Sequence, residues 1–213
     1  MFILTYLSMH YNKPASPVVI QKVAQNLQEH GFLPEVIATP TAALARIQEL
    51  IPAGSSVMNG ASRTLEQIGF TVLLKSGQHS WNNLHATILA ETDPAKQGAL
   101  RKQAVLSDFY VGSVHALSET GEFVIASNTG SQLPHIVFTS PNIIFVVGIN
   151  KIVPTVSEAL ARLEQHVIPL EDERMKQVYG VGTTLSKTLI FHRESQATHR
   201  PVHVLLVEEA LGF

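Results

Sequence analysis

Four short polar segments, each directly after a predicted strand, carry the residue types in this sequence that could bind or transform a ligand. They are residues 58–62, 113–122, 127–132 and 148–151. Ligands of open α/β sheets bind beyond the carboxyl ends of the strands, because the connecting loops gather there. The sequence therefore predicts that these four segments meet in one cleft.

The first and third segments are suited to holding an anion. Gly60 lets a ligand approach the backbone, and the helix predicted to follow offers free N–H groups. In the third segment, hydroxyl, amide and backbone groups converge before a short helix. The alternative for both is an ordinary polar turn that caps a helix. The candidate ligand-binding residues here are Asn59, Gly60, Ala61, Ser62, Asn128, Thr129 and Gly130.

The second and fourth segments carry the charged groups. Glu119, between two predicted strands, has the chemistry of a general base or nucleophile. The alternative is a solvated carboxylate in a hairpin turn formed by Thr120 and Gly121. Lys151 follows a strongly apolar run and could neutralise phosphate or carboxylate, although most lysines are simply solvated. We assign Glu119 and Lys151 as candidate catalytic residues, and Thr120, Gly121 and Asn150 as ligand-binding residues.

The composition excludes several classes of function. The formal net charge is −2 and no Lys/Arg run occurs, which disfavours nucleic acid or an anionic membrane as partner. The chain has no cysteine, so it cannot by itself form disulfides, use a catalytic thiolate or ligate an iron–sulfur cluster through cysteines. The histidines show no zinc-binding spacing, so no metal site is predicted. P-loop, G-x-S-x-G and complete G-x-G-x-x-G motifs are missing from the sequence.

The apolar runs are too short to span a membrane. Residues 1–8 are apolar but lack the basic region and cleavage site of a secretory signal, and residues 143–149 are strand-sized. We therefore expect a soluble, cytoplasmic protein without a membrane span.

The elements that must position the four segments alternate between helices and strands. Ser16-Pro17 is typical of a helix start, and Pro34 places the next strand near a sheet edge. The runs 143–148 and 202–207 are typical of strands buried on both faces of a parallel sheet. This pattern predicts an α/β fold, a three-layer sandwich around a mostly parallel sheet.

No linker interrupts this pattern, so we predict a single domain over residues 1–213. It would consist of an N-terminal extension, residues 1–13, and a core of about residues 15–208. Residues 75–93 are predicted to be an irregular connection, followed by a helix from Pro94 to about Ser107.

Several motifs, in the right order from about Ser55 to Val207, resemble the lactate-utilisation (LUD) domain family. The stretch from Asp108 through Glu119-Thr120-Gly121 resembles its central signature, in which an acidic residue opens a strand and an E-T-G turn follows. The other matching segments are residues 59–69, similar to N-G-x-S-x-T-L-x-x-I-G, residues 148–153, similar to G-x-N-K-I-V, and residues 182–184 and 201–207, which resemble the start of the closing helix and the last strand.

The resemblance implies a fold similar to ribose-5-phosphate isomerase, glucosamine-6-phosphate deaminase and the CoA-transferases. It also implies a role in oxidising L-lactate to pyruvate beside iron–sulfur partner subunits, whose clusters a cysteine-free chain would not carry. Asn59, Gly60, Ser62, Glu119, Gly121, Gly130 and Lys151 match family-typical residues. Residues 182–190 lack the two acids of the family's G-P-S-x-T-A-D-I-E segment, which puts the role of this segment in doubt.

Three functions stay open at this point. The first is a cluster-free component of lactate oxidation that binds a small anionic ligand, iron–sulfur subunits, or both. The second is a stand-alone isomerase or acyl/CoA-transferase-like enzyme, with Glu119 as base or nucleophile and Lys151 as anion clamp. The third is a regulatory binding module with a degenerate site, and homo-oligomerisation is open for all three.

Overall fold

A computed structural model describes residues 11–213 and contains ten strands in two sheets within that range. Of the predicted N-terminal extension, residues 1–10 lie outside the described residues. The strands are β1 (Leu33–Ile37), β2 (Ser56–Asn59), β3 (Asn82–Asn83), β4 (Phe109–Gly112), β5 (Ala116–Ser118), β6 (Phe123–Ser127), β7 (Asn142–Gly148), β8 (Ile152–Val153), β9 (Lys187–Phe191) and β10 (Val202–Val207).

The larger sheet has six parallel strands in the order β1-β10-β7-β4-β2-β3. β7 and β10 lie at its centre, and nearly all their side chains are buried, as expected for strands covered on both faces. β1 lies at one edge. Pro34 is tolerated there because an edge strand has one side without hydrogen-bonding partners.

The smaller sheet has the order β8-β5-β6-β9 and is mixed. β5 and β6 form an antiparallel hairpin, β6 pairs antiparallel with β9, and β5 pairs parallel with β8. The sequence pattern does not predict this sheet. β5 has three residues and β8 has two, which is too few for an alternation of buried and exposed side chains to be visible.

Eight α-helices lie between the strands in the described part of the chain. Ser16 and Thr39 cap the first two through their side chains, and a proline follows each cap; the helix start at Ser16-Pro17 is the one that the sequence predicts. The helices are α1 (Pro17–Glu29), α2 (Pro40–Leu50), α3 (Arg63–Gln67), α4 (Phe70–Ser76), α5 (Leu84–Ala90), α6 (Pro94–Gln103), α7 (Val156–Arg162) and α8 (Ile168–Tyr179), with a π-helical turn, Leu163–Val167, joining the last two.

Apolar side chains pack in three clusters that define the layers. One cluster joins α2, α3 and α4 to one face of the larger sheet, and a second joins α1 and the smaller sheet to the other face. The third lies between the outer face of the smaller sheet and α7 with the π-helical turn. The prediction of a three-layer α/β fold around a mostly parallel sheet is confirmed, with the smaller sheet as an addition.

Two local predictions differ from the structure. Residues 75–93 contain α5, which the polar sequence conceals because only Ile88 of this helix is buried. The stretch resembling a closing helix start at Gly182 is followed by β9, whose residues pair with β6. The β-branched and aromatic residues of β9 favour a strand once β6 provides an antiparallel neighbour.

Candidate functional site

A cavity of about 350 Å³ lies beyond the carboxyl ends of β2 and β4. Its wall includes residues 60–64 after β2, residues 112–115 after β4, and residues 126–129 at the end of β6. α8 and the loop containing Thr183 and Thr184 contribute the opposite side. The parallel pairing of β2 with β4 places their carboxyl ends side by side, so the polar loops that follow share one space.

Six of the sequence-predicted site residues line this cavity: Gly60, Ala61, Ser62, Asn128, Thr129 and Lys151. Asn59 and Asn150 lie next to the lining residues in the chain but face elsewhere. The Asn59 side chain lies 3.3 Å from Nδ1 of His85, and Asn150 bonds Asn12 and the backbone of Leu211. Gly130 forms the turn after β6 with a positive φ of 85°. The structure thus brings together the first, third and fourth predicted segments.

The second predicted segment is divided. Residues 113–115 line the cavity, whereas Glu119, Thr120 and Gly121 form the β5–β6 hairpin turn outside the lining. In the parallel pairing of β5 with β8, Lys151 lies beside Ala116, so Glu119 is three residues, or about 10 Å, further along. The Glu119 carboxylate instead accepts a hydrogen bond of 3.0 Å from Lys22 of α1. Glu119 and Lys151 therefore do not share this cavity.

Lys151 is the buried amine of the cavity wall, only 4% exposed. Its Nζ donates to Thr64 Oγ1 at 2.8 Å, to the Val114 carbonyl at 3.0 Å and to Ser113 Oγ at 3.1 Å. These three oxygens lie in the three hydrogen-bonding directions of the Lys151 side-chain nitrogen. Burial, and secondarily the positive charge of Arg162, hold the pKa of Lys151 well below its usual range.

Arg162 of α7 is a second buried cation close to this wall. Its Nε donates to the Tyr11 carbonyl at 3.1 Å and its Nη1 to the carbonyl of His115, a cavity residue. Burial lowers the pKa of Arg162 to about 9. Within residues 11–213, no carboxylate oxygen lies within 4.0 Å of the charged nitrogens of Lys151 or Arg162.

His115 projects into the same space from the segment between β4 and β5. Its Nδ1 accepts a hydrogen bond of 3.0 Å from the Ala126 backbone N–H. Burial, followed by the charges of Lys151 and Arg162, lowers the pKa of His115 to about 3. The imidazole is therefore neutral at physiological pH, with its proton on Nε2.

The opposite wall presents the ion pair of Arg174 and Glu171 on α8. The guanidinium binds the carboxylate through two hydrogen bonds, Nε to Oε2 at 2.7 Å and Nη2 to Oε1 at 2.6 Å. This pairing raises the pKa of Arg174 and orients the side chain, 17% of which is exposed. Nη1 of Arg174 makes no hydrogen bond with the described residues, so two N–H donors stay available to a ligand.

Tyr110 and Gln132 close the cavity near Gly60. The Tyr110 hydroxyl donates to Gln132 Oε1 at 3.2 Å, and Gln132 Nε2 donates to the Ala126 carbonyl at 2.8 Å. Burial raises the pKa of Tyr110, so the hydroxyl keeps its proton. A Cβ at Gly60 would come within 2.9 Å of Gln132 Oε1 and 3.1 Å of the Tyr110 hydroxyl. A larger residue at position 60 would therefore require the Gln132 side chain to shift.

Sequence patterns do not single out Arg162, Arg174 or His115 as site residues. Arg174 lies on a polar helix among other charged residues, and only the tertiary packing of α8 shows that it faces the cavity. His115 belongs to a predicted site segment, but nothing in its spacing distinguishes it from the other histidines. Its signal is its position three residues after the end of β4, where the chain turns from one sheet into the other.

Two further structural findings concern the described residues as a whole. No three His, Asp or Glu side chains between residues 11 and 213 are close enough to hold a metal ion. No helix in the same range has the length and apolar composition needed to cross a membrane.

The fold and sequence resemble known proteins. A crystal structure of a DUF162 family protein from Deinococcus radiodurans aligns with a TM-score of 0.53 and 12% sequence identity, covering 91% of this chain and 98% of that chain. At this identity the likeness concerns the fold alone. No curated protein matches the chain. The family model of the LUD domain matches residues 20–207, most of the sequence, so the chain belongs to the LUD-domain family.

Proposed function

We propose that this LUD-domain protein binds a small carboxylate in the cavity beyond β2 and β4, as the cluster-free component of a lactate-oxidising system. Family membership supports a role related to lactate utilisation. The ligand would be a short organic acid of the size and charge of lactate or pyruvate. The cavity volume of about 350 Å³ is ample for such a molecule with bound water.

The observation that carries this proposal is a pair of buried basic side chains without a counter-ion, one in the cavity wall and one close to it. Lys151 and Arg162 are both buried, and neither forms an ion pair within residues 11–213. Residues 1–10 contain no Asp or Glu that could supply one. Buried cations without a counter-ion are costly, and a bound anion lowers that cost.

Lys151 and Arg174 would contribute to binding in different ways. Nζ of Lys151 is already hydrogen-bonded to three oxygens, so its protonated form would attract the anion through charge and not through a direct hydrogen bond. Arg174 offers the direct contact, because its Nη1 is available while Glu171 holds the rest of the guanidinium in place. This refines the anion-clamp role expected for Lys151.

Oxidising lactate to pyruvate removes two electrons, which need an acceptor. The chain has no cysteine to ligate an iron–sulfur cluster. We therefore propose that partner subunits carry the clusters and that this protein holds the organic acid beside them. The alternative of a stand-alone enzyme with Glu119 as base or nucleophile gains no support at this cavity, since Glu119 lies outside its lining.

Isothermal titration calorimetry and thermal shift with pyruvate, lactate, propionate and the neutral analogue propionamide test the proposal. The acids should bind and propionamide should not, and each acid at about 100 Kd should stabilise the fold by about 2.7 kcal/mol. Arg174→Met and Lys151→Met should weaken binding of the acids, and Glu119→Gln is the matched charge-removing control. Equal binding of propionate and propionamide, or unchanged binding by both cavity variants, would refute the proposal.

A further inference from the structure

His115 is held in one tautomer by the backbone. Its Nδ1 accepts a hydrogen bond of 3.0 Å from the Ala126 N–H. A proton on Nδ1 would point at the hydrogen of that N–H group, so Nδ1 stays unprotonated. The tautomer with the proton on Nε2 is the result. The neighbouring cations strengthen this arrangement: Arg162 donates to the carbonyl of His115 itself, and Lys151 lies in the same wall.

The second nitrogen of His115 faces accessible space. Nε2 makes no hydrogen bond with residues 11–213, and it is not among the enclosed side-chain atoms that lack a partner. The His115 side chain lines the cavity. The site therefore holds a neutral N–H donor whose orientation is set before any ligand arrives, together with the charged donor Arg174.

We propose that Nε2–H of His115 donates to the oxygen on C2 of the ligand, so that the cavity selects 2-oxo and 2-hydroxy acids over simple carboxylates. This inference rests on the proposed function, because it presupposes that a carboxylate occupies the cavity. It adds a specificity-determining residue and the ligand oxygen that this residue contacts.

The match follows from the charges of the two ligand oxygens. A carboxylate is best met by the cationic donors, Arg174 in contact and Lys151 at longer range. A carbonyl or hydroxyl oxygen is uncharged, and a neutral imidazole N–H binds it without adding a further positive charge to the cavity. Such a donor also polarises a carbonyl, because it is oriented before the ligand binds.

Calorimetry with pyruvate, lactate and propionate measures the preference directly, since propionate lacks only the C2 oxygen. The wild type should bind pyruvate and lactate about two- to tenfold more tightly than propionate, the value of one neutral hydrogen bond. His115→Leu should bring that ratio close to one while propionate still binds. His115→Gln, whose amide can place an N–H near the former Nε2, should restore part of the ratio. Exposed His192→Leu is the control and should keep the wild-type ratio.

Nitrogen-15 NMR of the wild-type imidazole gives a second readout that does not depend on a variant folding. At neutral pH, His115 should show the Nε2–H tautomer, and pyruvate but not propionate should shift the Nε2 resonance. An Nδ1–H tautomer or an imidazolium would overturn the inference, as would equal binding of propionate and pyruvate by the wild type while the proposed function stands. If no carboxylate binds at all, the proposed function fails first.

Discussion

Carboxylate binding should be accompanied by proton uptake at Lys151. In the ligand-free cavity, burial and the charge of Arg162 hold the pKa of Lys151 well below its usual range. A carboxylate in the cavity favours the charged ammonium and raises that pKa again. At a pH between the pKa values of Lys151 in the free and the ligand-bound protein, binding transfers a proton from buffer to protein. The hydrogen bonds around Nζ can form in either protonation state of Lys151. Thr64 Oγ1 can donate to the neutral amine and can accept from the ammonium.

The size of the effect follows from the geometry around Nζ. Since three protein oxygens occupy its contact directions, the ligand carboxylate lies in a second position, about 6 Å away, where the attraction is about 2.8 kcal/mol at an effective dielectric constant of 20. This attraction raises the pKa of Lys151 when the ligand is bound. Proton uptake should therefore be largest at a pH between the pKa values of Lys151 in the free and the ligand-bound protein and vanish outside that interval, and affinity should fall as the pH rises through the interval.

The assay is calorimetry of pyruvate binding in Tris and in HEPES at the same pH, repeated from pH 6 to 8. Proton release by the buffer adds its ionisation enthalpy, so the observed heat should be more endothermic in Tris. His115 does not interfere because its pKa is about 3, and Arg162, with a pKa of about 9, stays charged over this range. Lys151→Met should remove the buffer dependence. Heats that are identical in both buffers at every pH would refute the reasoning.

Three further predictions test other contacts. Glu119→Gln should leave pyruvate affinity unchanged and cost at most about 1 kcal/mol of stability, because it breaks a partly exposed ion pair outside the cavity; a large loss of affinity in calorimetry would contradict the geometry. Glu194→Leu should cost about 3–5 kcal/mol in urea unfolding, because it leaves Arg200 buried without its counter-ion, and a cost below 1 kcal/mol would show that the pair is not buried in solution. His135 and His166 are buried with pKa values lowered to about 4, so the unfolded chain binds more protons below pH 6.5. Stability should be full above pH 6.5 and fall toward pH 4, by on the order of 3 kcal/mol per histidine, and His135→Gln should flatten that slope in urea titrations.

The central sheet was predictable from sequence because its signals are local. The runs in β7 and β10 are apolar on both sides of the strand, which only a doubly covered strand requires, and the structure places them at the centre of the sheet. Pro34 likewise marks an edge strand, since it lacks the N–H that a central strand would use. A run of apolar residues or a proline is visible in the sequence itself, so the strand and its central or edge position in the sheet can be inferred from it.

The site was predictable only in part, because its assembly depends on long-range pairing. Gly60 and Lys151 follow strands of the larger sheet, whose ends meet, and both line the cavity. Glu119 was expected beside them, but the chain leaves the larger sheet after Gly112 and enters the smaller one at Ala116. A strand of three residues is too short to show an alternation of buried and exposed side chains. The position of Glu119 relative to the larger sheet therefore could not be inferred from the sequence. Arg174 reaches the cavity only through the packing of α8.

The position of β10 has a consequence for how the protein is made. Among the strands of residues 11–213, β10 is the last, yet it lies between β1, the first, and β7. During translation, β1 therefore emerges from the ribosome long before its hydrogen-bonding neighbour exists, and β7 exposes an unpaired edge until residues 202–207 follow. The nascent chain cannot close its central sheet before residues 202–207 have left the ribosome, and until then the unpaired edges of β1 and β7 are open to strand-mediated aggregation.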